Sequence, residues 1–134
     1  GCMLWTGSEM GMIWMDSDRD TFFSLMDGTG GAVGSPVMLA DTSESENSAP
    51  GLAWTGSQFM AAWMREVTDH TYIEFARIGP DGTILEPGHT VRTYPRFPSY
   101  PPVNLAWTGS ETAIIWIDRS DMERLHYNRI GPCE

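Results

Sequence analysis

The chain has 134 residues, 41% of them hydrophobic, which is the length of one ordinary domain with enough apolar side chains for a core. Its formal net charge of −10 argues against nucleic acid and against anionic membrane surfaces as partners, because both attract clustered cations. No apolar run approaches the ~18 residues of a membrane-spanning helix, so we expect a folded domain with no membrane insertion.

The chain opens with a short apolar stretch and a turn, and this unit occurs three times. Leu4-Trp5-Thr6-Gly7-Ser8-Glu9 is matched by Leu52-Ala53-Trp54-Thr55-Gly56-Ser57-Gln58 and by Leu105-Ala106-Trp107-Thr108-Gly109-Ser110-Glu111. A second tryptophan follows the first by nine residues in every copy, as Trp14, Trp63 and Trp116. Both tryptophans recur at spacings of 49 and 53 residues, which indicates about three copies of one β-rich repeat.

Each copy is predicted to form four short strands. Strand a is the apolar stretch before the Thr-Gly-Ser turn, where glycine can take a positive φ. Strand b is almost entirely apolar, which is typical of a strand buried on both faces, and strand c alternates more. A turn such as Gly79-Pro80-Asp81-Gly82-Thr83 joins strands c and d. The predicted bounds are 11–15, 59–64 and 112–117 for strand b, 22–26, 72–78 and 125–130 for strand c, and 37–40 and 90–93 for strand d.

Segments rich in Ser, Glu and Pro, residues 42–50 and 94–102, link the copies, and no segment has helical periodicity. Four strands per ~50 residues, with tryptophan at fixed places, are typical of propeller blades. The sequence therefore predicts an all-β protein of β-propeller blades in a single array over residues 1–134. Blade 1 is expected at about 1–49, blade 2 at about 50–102 and an incomplete blade 3 at about 103–134.

The third copy has strands a, b and c but no strand d, so eleven strands are predicted instead of twelve. Propellers close with about four to eight blades, and an open array exposes blade faces and a strand edge. We therefore expect a larger or oligomeric propeller. Its further blades come either from the same longer chain or from a second copy, in a homodimer of about six blades.

The two cysteines, Cys2 and Cys133, lie near opposite ends of the chain. Such a pair is consistent with a disulfide in a secreted protein, within one chain or between chains, and two free thiols are the alternative. In a regular array the start of strand a and the end of strand c are about 17 Å apart, whereas bonded cysteines have Cα atoms within about 7 Å. An intramolecular bond therefore requires a terminus to bend back.

The combined pattern resembles the tandem Leu-Ala-Trp-Thr-Gly-Ser-Glu repeats of large bacterial extracellular proteins that are predicted to form β-propellers. The resemblance covers essentially the whole chain and rests on the six tryptophans, on Asp16 and Asp118, and on Arg-Ile-Gly-Pro at 77–80 and 129–132. The second copy departs from the pattern, because Arg65-Glu66 stands at the place where the first and third copies have Asp16 and Asp118. The resemblance implies a propeller fold and an extracellular or cell-surface location, and it implies no settled activity.

The turn between strands b and c of the first copy carries a candidate metal site. Asp16, Asp18 and Asp20 have the one-three-five acidic spacing that opens a calcium loop. Thr21 stands where such a loop has glycine, and no glutamate follows at the twelfth position. The sequence therefore leaves two alternatives for this segment, a calcium site or a solvated turn, and no other cofactor is indicated.

Arginines fall at or near this turn in all three copies, as Arg19, Arg65 and Arg119. Each has an acidic residue next to it in sequence, namely Asp18, Glu66 and Asp118. The pattern predicts either a repeated polar pocket that recognises carboxylates or sugar hydroxyls, or Arg–carboxylate pairs that pin the turn.

Aromatic residues outside the apolar strands are further candidates for ligand contact. The tryptophans sit inside those strands, which favours a core role over sugar stacking. Tyr94, Phe97 and Tyr100 lie in a Pro-rich linker, where rings are often exposed, and Tyr127 is a fourth candidate.

The sequence offers little for catalysis. No motif frames a nucleophile, and His70 with Asp69 is the clearest departure from the repeat, as a specific site would be. We therefore expect a non-catalytic binding or scaffolding propeller that recognises a glycan or a protein. A fragment of a propeller-type glycan hydrolase, whose paired carboxylates depend on their separation in space, and a purely structural surface-protein repeat are the alternatives.

Overall fold

The computed structural model describes residues 1–43, 46–95, 102–118 and 124–131 of the chain. Within these ranges the chain is all-β, with eleven strands and no helix, so no described helix could cross a membrane. The strands are β1 (Cys2–Trp5), β2 (Glu9–Met15), β3 (Thr21–Asp27), β4 (Ala32–Ala40), β5 (Glu46–Trp54), β6 (Phe59–Glu66), β7 (His70–Ile78), β8 (Ile84–Pro95), β9 (Asn104–Trp107), β10 (Thr112–Asp118) and β11 (Arg124–Ile130).

Each copy of the repeat forms one antiparallel sheet in which strands pair in chain order. Sheet I contains β1 to β4, sheet II contains β5 to β8, and sheet III contains β9 to β11. The predicted count of four, four and three strands is confirmed among the described residues.

Three edge strands are longer than the sequence predicts. β4 begins at Ala32, β8 begins at Ile84, and β5 begins at Glu46, inside the predicted linker. Each contains a proline, which lacks an N–H donor but is tolerated where one side of the strand has no partner. Register shifts in all three pairings absorb the irregularity, so the prolines bend these strands without ending them.

The Thr-Gly-Ser turn between strands a and b has one geometry in all three copies. The hydroxyls of Thr6, Thr55 and Thr108 donate to the carbonyl oxygen three residues on, at 3.0, 3.2 and 3.0 Å. The same hydroxyls accept that residue's N–H at 3.1, 3.2 and 3.0 Å. The glycine that follows each threonine has a φ between 98° and 109°, a region that other residues rarely adopt. The repeated motif thus encodes a repeated hairpin.

The turns between strands c and d in sheets I and II each hold a carboxylate in local hydrogen bonds. Asp27 accepts from the Thr29 hydroxyl at 2.7 Å, and Asp81 accepts from the Thr83 hydroxyl at 2.7 Å. Backbone N–H groups of Thr29 and Thr83 reach the same carboxylates. These donors, the threonine hydroxyls above all, favour the charged form and hold the pKa of both aspartates below the ordinary value of 3.8.

Side chains alternate between the two faces of each sheet. We call the face that carries Trp14, Trp63 or Trp116 the tryptophan face and the other the reverse face. On β6 the tryptophan face includes Phe59 and Ala61, and the reverse face is made of Met60, Ala62 and Met64.

Sheet II is the middle layer of a head-to-tail stack. Its tryptophan face packs on the reverse face of sheet I, in a cluster that includes Ile13 and Phe23. Its reverse face packs on the tryptophan face of sheet III, in a cluster that includes Ile114 and Trp116. The predicted burial of strand b on both faces is confirmed for β6, since Phe59 to Met64 are all buried. β2 and β10 belong to the outer sheets, so each of them packs against another described sheet on one face.

The first strands of the sheets bring the layers closest together. Contacts between sheets concentrate on β1, β5 and β9, whereas the last strands, β4 and β8, barely touch. On the first strands, Gly51 permits the close approach, because a Cβ there would overlap the carbonyl oxygen of Val103. On the second strands, a Cβ at Gly11 of β2 would overlap the Phe59 ring of β6. The sheets therefore converge along one edge and spread at the other.

Candidate functional site

A polar cleft lies between sheets I and II, where the end of β4 meets the tryptophan face of sheet II. Its volume is about 380 Å³, which is within the range of small-molecule sites. We call it the Arg65 cleft. Its lining comprises Leu39, Ala40, Asp41 and Ser43 from one side and Trp63, Arg65, Glu74 and Gly88 from the other.

Strand alternation explains why Arg65 and Glu74 meet in this cleft. Arg65 follows Trp63 by two residues on β6 and so shares its face, and Glu74 pairs with Trp63 across the β6–β7 ladder. Arg65 Nε and Nη2 donate to Glu74 Oε1 at 3.2 and 3.0 Å, and the Thr90 hydroxyl donates to the same oxygen at 2.8 Å. The Glu74 side chain is 8% exposed and that of Arg65 is 31% exposed. Burial of a carboxylate is costly without such partners, so the pair holds the wall of the cleft in place.

Trp63 forms the apolar side of the cleft. The tip of its ring lies over Gly88, where a Cβ would come within 2.8 Å of Cζ2. Its indole Nε1 is buried and has no hydrogen-bond partner within the described ranges, whereas Trp14 Nε1 donates to Ser24 Oγ at 2.9 Å. A buried donor without an acceptor costs about 1–3 kcal/mol, so an acceptor that reached Trp63 Nε1 would be favoured.

An aromatic strip extends the cleft toward solvent. Arg65 Cζ lies 4.4 Å from the centroid of the Tyr72 ring, and the His70 ring lies 6.2 Å from that of Tyr72. His70, Tyr72 and Glu74 share the tryptophan face because they alternate along β7. Tyr72 is half-buried and His70 is exposed, so the strip runs from the cleft to the surface.

Sheet I contributes a second carboxylate to the cleft. Asp41 Oδ1 accepts from the Ser43 N–H at 3.3 Å and from the Ser43 hydroxyl at 2.8 Å. The cleft thus combines two carboxylates, a guanidinium and a hydroxyl. Carboxylates accept hydrogen bonds and guanidinium groups donate them, so the arrangement suits a ligand that carries both donors and acceptors.

The structure corrects the expected pairing and placement of the arginines. Arg65 pairs with Glu74 rather than with its neighbour Glu66, because successive strand residues point to opposite faces. Arg19 lies in the β2–β3 turn with a φ of 70°, and its carbonyl accepts from Asn47 Nδ2 at 3.4 Å. Arg65 lies inside β6, so the two arginines occupy different places and do not form matching pockets. Arg119 and the side chain of Asp118 lie outside the described residues.

The three aspartates of the candidate calcium loop take part in the β2–β3 turn. Asp16 Oδ1 accepts the N–H groups of Asp18 and Asp20 at 2.9 and 3.0 Å. Asp20 Oδ1 accepts the Thr42 N–H at 2.8 Å. Across the described ranges no group of three or more His, Cys, Asp or Glu side chains is arranged to hold a metal ion. The structure adds no support for calcium, which stays a prediction.

The remaining candidate residues are dispersed. Tyr94 lies near the end of β8 and is half-buried between sheets II and III, with its ring 6.0 Å from Trp116 and its hydroxyl 3.4 Å from His126 Nδ1. Asp69 is exposed in the β6–β7 turn beside His70. Tyr100 lies outside the described residues. Of these candidates, the structure brings His70 close to the Arg65 cleft.

Two other depressions offer less chemistry. One of about 460 Å³ lies between β4 and the β7–β8 turn, and its charged side chain, Asp81, is held by Thr83. Another of about 320 Å³ runs along β1, β5 and β9 and includes Cys2. Cys133 lies outside the described residues, so the disulfide stays a prediction.

Sequence reasoning missed several residues of the cleft. Glu74 and Tyr72 could have been predicted, because pairing β6 with β7 across a short turn sets them beside Trp63 and Arg65. Asp41 and Ser43 gave no signal, since they reach the cleft through the packing of one sheet on another. Comparison with protein-family models, with curated proteins and with solved structures finds no match to this chain.

Proposed function

We propose that the three sheets are β-propeller blades and that the chain is a non-catalytic binding module for a glycan. Head-to-tail stacking supports the blade assignment, because the tryptophan face of each later sheet packs on the reverse face of the one before it. Convergence of β1, β5 and β9 supports it further, since propeller blades surround a central axis. The resemblance to repeats of bacterial extracellular proteins supports an exported protein at the cell surface or outside the cell.

The Arg65 cleft carries the assignment of a glycan ligand. Sugar hydroxyls both donate and accept hydrogen bonds, which matches carboxylates beside a guanidinium. The rings of Tyr72 and His70 offer surfaces on which the apolar face of a sugar can stack. The net charge of −10 disfavours a strongly anionic ligand, so a neutral glycan fits best.

A glycan array followed by calorimetry with the best neutral glycan tests this proposal. Arg65→Gln removes the guanidinium and its charge from the cleft, and we expect it to weaken binding at least about tenfold, which corresponds to one charged hydrogen bond. Arg77→Gln is the matched control, because Arg77 also pairs with a glutamate on its own sheet, Glu86 at 3.6 Å, and is 24% exposed. It lies outside the cleft lining and should leave binding unchanged.

Three results would count against the proposal. Absence of binding to any neutral glycan would remove the ligand class. Equal loss of affinity in Arg65→Gln and Arg77→Gln would place the ligand elsewhere. Hydrolysis of a bound glycan would contradict the non-catalytic role and favour the hydrolase alternative, with Asp41 and Glu74 as the first carboxylates to replace.

A further inference from the structure

The tryptophan face of sheet I is open in the part of the chain that the structure describes. Met3, Trp5 and Met38 are 63%, 51% and 47% exposed. Other apolar side chains of this face are only half-buried, namely Met10, Met12, Trp14, Phe22 and Met26. The tryptophans equivalent to Trp14 in the other sheets are buried, with Trp63 1% and Trp116 2% exposed. Contiguous exposed apolar side chains are characteristic of interaction surfaces.

The reverse face of sheet III is open in the same way. Leu125 and Tyr127 are 70% and 56% exposed, and Ile115 and Ile117 beside them are half-buried. The matching residues of sheet II, Ile73 and Phe75 among them, are buried by sheet III. The chain already forms the interface between a tryptophan face and a reverse face twice. The tryptophan face of sheet I and the reverse face of sheet III are the two faces of this kind that no described sheet covers.

Side-chain sizes at matching positions are complementary across the two open faces. In the first interface Phe59 of a tryptophan face packs directly on Gly11 of a reverse face. The repeat places Met10 where sheet II has Phe59, and Ala113 where sheet I has Gly11. A large side chain would again meet a small one, as close packing requires.

We propose that a second copy of this chain covers these faces head to tail. The tryptophan face of sheet I in each copy packs on the reverse face of sheet III in the other, so one twofold axis relates two identical interfaces. Such an arrangement buries both open faces of both copies and closes a ring. It contains about six blades, within the range of closed propellers. The proposal rests on the blade assignment and is independent of the glycan ligand.

Sedimentation equilibrium of the chain and three variants tests this dimer. The wild type should have twice the 14.9 kDa mass of one chain. Met12→Glu buries a charge on the first face and Tyr127→Glu on the second, and each should raise the dissociation constant at least about 100-fold. Leu85→Glu is the matched control, because Leu85 is 53% exposed on β8, away from both faces. It should leave the dimer unchanged.

Mixing Met12→Glu with Tyr127→Glu separates loss of docking from loss of folding. The mixed pair retains one unaltered interface, so a 1:1 heterodimer should form although neither variant pairs with itself. A monomeric wild type, an open polymer, a Tyr127→Glu variant that still dimerises, or a mixture that stays monomeric would each overturn the proposal. An intact dimer without glycan binding would refute only the proposed ligand.

Discussion

Gly51→Ala tests the close approach of the first strands most sharply. A Cβ at this position would overlap the backbone oxygen of Val103 and lie 2.8 Å from Leu105 Cδ1. A backbone atom cannot rotate away, so β5 and β9 must separate. Overpacking of this kind costs about 1–3 kcal/mol. With a cost in the middle of that range, about 2 kcal/mol, the loss of glycine freedom in the unfolded chain offsets about 0.4–1 kcal/mol and leaves a net destabilisation of about 1–2 kcal/mol.

Thermal and urea unfolding of Gly51→Ala and a control measure this cost. A destabilisation of this size should lower Tm by roughly 4–8 °C, since a domain of this length loses about 4 °C per kcal/mol. Gly131→Ala is the control, because a Cβ there meets nothing within 4 Å. It should have the stability of the wild type or slightly more. Equal Tm values for the two variants would refute the convergence of β5 and β9.

Two further predictions concern the core and the turns. Phe59→Ala should lower the free energy of unfolding, measured in urea, by about 3–5 kcal/mol, as expected for a large buried ring. Leu85→Ala, at a site 53% exposed, should change it by less than about 0.5 kcal/mol. Similar losses in the two variants would contradict the placement of Phe59 between sheets. The folded-state pKa of Asp81 lies below 3.8, so its contribution to stability is present above that pH and is lost as pH falls through the lower folded value. Asp81→Asn should therefore lower Tm at pH 7, and the difference should shrink progressively as pH falls below 3.8. A difference in Tm that stays constant as pH falls would contradict this linkage.

Strand order and repeat units were predictable because they are local. The threonine and glycine of each Thr-Gly-Ser turn fix a hairpin, and the tryptophan nine residues on sets which side chains of strand b share a face. The extents of β4, β5 and β8 were not predictable in this way. Prolines within them suggest breaks, and only their position at sheet edges lets the strands continue.

Burial and the site depend on neighbours that the repeat does not specify. Trp14 and Trp63 occupy the same repeat position, yet Trp63 is buried and Trp14 is half-buried because only Trp63 faces another described sheet. Arg65 was identified as a candidate from the sequence, but at a turn and not inside β6, where the structure places it. Its pairing with Glu74 follows from β6–β7 register, and Asp41 joins them only because sheet I packs over sheet II.

The nuclear Overhauser effect between the Phe59 ring protons and the Gly11 Hα protons tests the head-to-tail stack most directly. Phe59 lies on the tryptophan face of sheet II and Gly11 on the reverse face of sheet I, in direct contact. The stack predicts a strong cross-peak between them. Absence of that peak, or cross-peaks from the Phe59 ring to Ile114 of sheet III instead, would contradict the order in which the faces pack.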